Sequence, residues 1–192
     1  MSLGRLLTTL CLLLVAACAA QAQATPPEPE EFVTRLELAL EKTGVVLVKG
    51  STQVGSVTGL RGTAFVTSWE IVDASSGGRL YGISVAIRDT ARPDEEELAY
   101  VDYEELAPLL AGLDYILKLE NTATKLTRFE AQYRTRGELS FYRFNTPNGY
   151  GTAVAIRERR GPRLVLRPAG LVEFRDLIES ARDILDEARR RP

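Results

Sequence analysis

The sequence predicts an α+β fold assembled twice: two tandem copies of an antiparallel β-meander followed by an α-helix, forming a pseudo-dimer, plus an N-terminal helix. Three observations predict it. Tyr81 to Asp89, YGISVAIRD, returns sixty-nine residues later as YGTAVAIRE, Tyr150 to Glu158. Each copy is preceded by a strand-like run that follows an Arg-Gly pair, Arg61-Gly62 in one case and Arg136-Gly137 in the other. Each is followed by a short apolar strand and an amphipathic segment, in which Leu106, Leu109 and Leu113 answer Leu171, Phe174 and Ile178 at a constant spacing of 65. Such a period is too long for a solenoid unit and fits a duplicated small domain or two halves closing one core. The repeats are expected at 45–120 and 121–192.

Taken in order, residues 1–24 carry the marks of an export leader. Arg5 supplies a positive start, Leu6 to Ala20 is apolar, and Ala22-Gln23-Ala24 offers a small-residue cleavage site. Val15-Ala16-Ala17-Cys18 also has the form of a lipobox, in which Cys18 would be lipidated and anchor the chain to a membrane. The expectation is an exported protein of the bacterial periplasm or cell envelope, soluble in preference to lipid-anchored. Residues 25–44 then hold a proline-rich spacer and a helix expected over Glu30 to Thr43, with Phe32, Val33, Leu36, Ala39 and Leu40 at helical spacing and Gly44 as its stop.

Val45 to Lys49 and Gln53 to Val57 read as two strands around Gly50-Ser51. Gly62 to Ala74 and the first nonapeptide read as strands joined through Ser75 to Gly78; in the second half Gly137 to Asn145 and the second nonapeptide are joined through Pro147-Asn148-Gly149. Gly-Gly and Asn-Gly supply the positive φ that tight hairpins need. Within the nonapeptides Ile83, Val85 and Ile87, like Thr152, Val154 and Ile156, recur with period two and face a core. Asp94 to Glu97 reads as a solvated acidic loop, Ala99 to Val101 as a strand, and Asp102 as the N-cap of a helix reaching Lys118. The second half closes with a strand over Arg163 to Leu166 and a helix over Pro168 to Ala188, with Pro168 at its first position.

Composition removes whole classes of chemistry. Both cysteines, Cys11 and Cys18, lie in the leader, and there is no histidine. Disulfides, thiol nucleophiles, Ser-His-Asp hydrolysis and histidine-based zinc sites are therefore excluded from the domain. No phosphate-cradling glycine loop is present and no cofactor is implied. An enzyme would have to work with carboxylate, tyrosine or arginine, and it ranks as the third reading.

Charge divides unevenly: residues 25–120 hold 8 Lys+Arg and 17 Asp+Glu, residues 121–192 hold 15 and 9. The two halves attract each other, and the second offers a candidate polyanion or partner surface. There Arg134, Arg136, Arg143, Arg157, Arg159 and Arg160 are interleaved with Tyr133, Phe141, Tyr142 and Tyr150. Cations beside aromatic rings are the residue types that single-stranded nucleic acid needs, charge for phosphates and π-faces for bases.

YGTAVAIRE followed by RLVLRPAGLVEFRDLI, Arg163 to Ile178, resembles the penultimate strand, short last strand and proline-started helix of the Whirly and transcriptional-coactivator group of single-strand DNA-binding proteins. The resemblance covers roughly Gly44 to Ala188 as pattern, without the lysine-rich strand signature of the plant Whirly proteins. The chain also resembles a set of exported bacterial proteins of unestablished function. The Whirly resemblance implies a single chain mimicking a dimer, and single-stranded nucleic acid as partner. The leader and a net charge of −3 over residues 25–192 favour another reading: an exported, non-catalytic binding or structural module that contacts a protein or an anionic polymer.

Overall fold

The computed structural model describes residues 33–158, 163–167 and 169–191. In chain order these form α1 (Arg35–Leu40), β1 (Leu47–Thr58), β2 (Gly62–Asp73), β3 (Arg79–Asp89), β4 (Glu96–Asp102), α2 (Tyr103–Lys118), β5 (Glu130–Arg134), β6 (Leu139–Thr146), β7 (Gly149–Ile156), β8 (Leu164–Val165) and α3 (Gly170–Arg190). The class is α+β: two separate antiparallel sheets of four strands, ordered β1-β2-β3-β4 and β5-β6-β7-β8, with three helices.

The nonapeptides lie in β3 and β7, and their neighbours keep step. Val85 pairs with Val66 on one side and Ala99 on the other; Val154 pairs with Phe141 and Leu164. Gly77 (φ 69°) and Gly149 (φ 124°) carry the positive φ expected at the hairpins. The period-two residues face inward: Ile83, Val85, Val154 and Ile156 are buried with Val66, Val101, Leu139 and Phe141 in one cluster to which both sheets and the stripes of α2 and α3 contribute. One core is thus shared. α2 contacts β5 and β6 of the second sheet as well as β3 and β4, whereas α3 lies against β1 and β2 of the first. Between the helices Arg175 joins Asp114 of α2, at 2.9 Å, to Glu179 of α3. Mutual attraction of this kind raises the Arg175 pKa, the Asp114 carboxylate being the largest cause.

Several expectations are corrected. The two strands expected around Gly50-Ser51 are one, because β2 is twelve residues long and templates the whole stretch; Gly50 pairs with Glu70 and Ser51 with Trp69, and the irregularity falls later, between Gln53 and Gly55. Glu96 and Glu97 belong to β4 rather than to a loop, since pairing with β3 sets Glu96 opposite Arg88, its ion-pair partner at 2.6 Å. β5 has no counterpart in the sequence reading; it is short, and charge at both ends hides its alternation. The N-terminal helix starts at Arg35, where Thr34 Oγ1 accepts the Glu37 N–H at 3.1 Å. Asp102 makes no side-chain cap on α2. Its carboxylate instead accepts the N–H groups of Arg35 (2.9 Å) and Leu36 (3.0 Å), closing the N-terminus of α1. Pro108 sits in the second turn of α2, where its ring withholds a helical N–H. Pro168, the leader with Cys18, and Arg159 and Arg160 lie outside the described residues.

Candidate functional site

The ten-residue surface expected in the second half is distributed over several places. Alternation alone separates Phe141 from Tyr142. Phe141 is fully buried in the shared core, edge-on to Phe174 at 5.0 Å between ring centroids. Tyr142, on the opposite face of the same strand, is also fully buried; Gln132 Nε2 donates to its hydroxyl at 2.7 Å and the Arg163 guanidinium lies 3.9 Å from its ring centroid. Tyr133 is half-buried under α2, and burial raises its hydroxyl pKa.

The cations are similarly engaged. Arg143 donates from Nη1 to the Leu117 carbonyl at the end of α2, 2.6 Å, and stacks 4.2 Å from the ring centroid of Tyr150. Arg134 pairs with Glu138. Arg157, at φ 48°, pairs with Glu37 at 3.2 Å and Glu138 at 3.8 Å. Arg136 is exposed, and its backbone N–H donates to Glu105 Oε1 at 3.1 Å. Among the described residues of the expected set, Tyr150 and Arg143 are the pair brought together with an exposed ring.

A more coherent surface lies on the first sheet. The inward row Ala64, Val66 and Ser68 alternates along β2 with an outward row, Phe65, Thr67 and Trp69. Across the strands these outward residues align with Ala86 and Leu98, with Ser84 and Tyr100, and with Gly82. β1 adds Ser56, Gln53 and Ser51 opposite them. Phe65, Trp69, Leu98 and Tyr100 are half-buried. Trp69 Nε1 donates to Ser84 Oγ at 2.8 Å, which holds the indole along the sheet in one orientation. Helix α1 closes one end of the face, with Leu36 against Gly82. The other end carries Arg88, paired with Glu96 and 5.1 Å from the Phe65 ring centroid. The centre is uncharged.

From Tyr100 and Leu98 this face runs into a groove of about 400 Å³, lined also by Glu37, Glu96, Glu97, Ile156 and Arg157. Burial pushes the Glu97 carboxyl upward against the pull of Arg92 and Arg157, and its Oε2 is buried without a hydrogen-bond partner. Burial and, secondarily, Glu37 raise the Tyr100 hydroxyl. The arrangement can stack flat rings on Trp69, Phe65 and Tyr100 and hydrogen-bond them through the surrounding Ser, Thr and Gln side chains. Among the described residues no group of three or more Asp and Glu is placed to hold a metal ion, and no helix is long and apolar enough to cross a membrane.

In the sequence, Phe65 and Trp69 fall within the strand expected over Gly62 to Ala74, and Tyr100 within the strand expected over Ala99 to Val101. The available signal was the alternation of aromatic and hydroxyl residues on the face of β2 opposite its aliphatic row. No protein-family model matches the chain, and no curated protein matches it.

Proposed function

We propose that this protein is an exported, non-catalytic binding module that contacts a protein through the outer face of its first sheet, an anionic polymer being instead a partner for the cations of the second half. One observation carries the reading: Phe65, Trp69 and Tyr100 stand half-exposed in aligned rows on an uncharged, hydroxyl-rich face. Trp69 is the only tryptophan, so its fluorescence reports directly on occupancy. Affinity capture from cell-envelope extract with the native chain and with a Phe65→Ser/Tyr100→Ser variant of equal circular dichroism tests it. A partner retained by the first and lost by the second supports the sheet face. A partner indifferent to that variant but lost on charge reversal of Arg134, Arg136 and Arg157 moves the contact to the second half.

The duplicated, Whirly-like architecture belongs to the same proposal. It is supported by two four-stranded meanders, each followed by a helix, and by the equivalent pairing of Val66–Val85–Ala99 and Phe141–Val154–Leu164. That resemblance favours single-stranded nucleic acid as the second reading, with the aromatic face as stacking platform. Titration of Trp69 fluorescence with oligothymidine separates the two. Binding that persists at physiological salt favours the nucleic-acid reader, and binding confined to low salt favours the first reading.

A further inference from the structure

We infer that the end of the molecule made by residues 118–128 and the β6–β7 hairpin docks on an anionic lipid membrane. The loop leaving α2 is exposed from Glu120 to Arg128. It is nevertheless fastened to the hairpin. Tyr150 Oη accepts the Asn121 N–H at 3.1 Å, Asn145 Nδ2 donates to the Thr127 carbonyl at 2.8 Å, and Asn145 Oδ1 accepts the Phe129 N–H at 3.0 Å. These bonds bring three cations to one end, Lys118, Lys125 and Arg128, none of which has an ion-pair partner among the described residues. Arg143 adds a fourth positive charge beside Tyr150. The opposing charge on the loop is Glu120; Glu130, the next acid, is taken by Arg163 at 2.5 Å.

Cations alone would suit any polyanion. The distinguishing residue is Leu126, between Lys125 and Arg128, whose relative exposure of 77% exceeds that of every other large exposed hydrophobic residue described. Tyr115 (68%) precedes Lys118 by one helical turn, and Tyr150 is 42% exposed. An apolar tip ringed by unpaired cations matches a surface with negative headgroups above hydrocarbon, where each cation and the inserted side chain contribute separately. A soluble polyanion offers nothing to Leu126. Beside the tip, Thr127 and Arg128 line a groove of about 540 Å³ with Phe144, Asn145, Thr146 and Pro147, which leaves room for a headgroup.

This surface shares no residue with the aromatic sheet face and is tested apart from it. Full-length chain is co-sedimented with phosphatidylcholine vesicles with and without phosphatidylglycerol, so that any contribution of the leader appears in both. Binding is expected to be stronger to the anionic vesicles and to fall with salt. Each of Lys118→Gln, Lys125→Gln and Arg128→Gln should lower that excess about fivefold, the equivalent of about 1 kcal/mol per cation. Leu126→Ser should lower it as well while leaving heparin binding unchanged, and Phe65→Ser/Tyr100→Ser should leave it intact. Absence of the anionic excess, its survival in the triple Gln variant, or indifference to Leu126→Ser each overturns the inference.

Discussion

Gly112, midway along α2, lies directly against the ring of Tyr133 on β5, so close that a β-carbon at position 112 would collide with Cδ2 and Cε2 of that ring. The other helix–strand crossing has the sizes reversed: Leu177 of α3 covers Gly55 of β1, where a β-carbon would fall 2.6 Å from Leu177 Cδ2. Gly55 and Tyr133 hold matching places, opposite Val66 and Phe141, and Leu177 follows Gly112 by the same 65 residues that separate the helix stripes. Each crossing therefore has one small and one large member, so that the large side chain lies directly on the glycine backbone facing it.

Gly112→Ala tests this with opposed expectations. Helix propensity favours alanine by about 1 kcal/mol; overpacking against the Tyr133 ring costs about 1–3 kcal/mol. Net destabilisation is expected, seen as a lowered urea midpoint. In a Tyr133→Ala background the same change should become neutral or stabilising. A gain in stability with Tyr133 present would remove the packing argument.

Asp102 is 3% exposed and closes the N-terminus of α1. Asp102→Asn keeps the shape but presents an NH2 to one of two N–H donors, and a loss of about 1–2 kcal/mol is expected. Amide exchange should accelerate at Arg35 and Leu36 before it does so in the sheets. Equal protection of those amides in variant and native protein would show that α1 is held by other contacts.

Glu97 is the group whose pH dependence has the less common sign. Its folded pKa is raised by burial, so its contribution favours the fold at pH below the ordinary carboxylate value and is lost as pH rises through the folded value. Glu97→Gln should raise the melting temperature at neutral pH, with the gain vanishing below about pH 4. A loss at neutral pH would mean that attraction to Arg92 and Arg157 outweighs burial.

Arg163 stacks on Tyr142 and binds both Glu130 and Glu158. Arg163→Met should cost about 1 kcal/mol, less at high salt. Glu158 is lowered first by the Tyr142 hydroxyl and then by Arg163, so its stabilisation is present above the ordinary carboxylate pKa and disappears as pH falls through the folded value. The difference between native and variant in thermal unfolding should therefore be widest at neutral pH and narrow in acid. A constant difference would assign the whole effect to the stacked cation.

Much of the architecture was legible because it rests on local periodicity. Ile83, Val85, Val154 and Ile156 alternate within single strands, and Leu106, Leu109 and Leu113 recur along one helix; either pattern declares its buried face without knowledge of what covers it. The candidate site was less legible. Arginines and tyrosines close in sequence looked like one surface, yet Phe141 and Tyr142 must diverge on any strand, and Arg157 finds Glu37 across 120 residues.

By itself, then, the sequence determined the β2–β3 and β6–β7 hairpins, the core faces of their strands and of the two long helices, and the absence of histidine and of cysteine from residues 25–192, since each depends on residue type and spacing alone. Tertiary structure decided that Asp102 serves α1 rather than its own helix, that most of the described arginines of the second half are occupied, and that Phe65, Trp69 and Tyr100 form the open face. The physical reason is range: a strand or helix pattern is written within a few residues, whereas ion pairing and exposure depend on which distant segment arrives to cover a side chain.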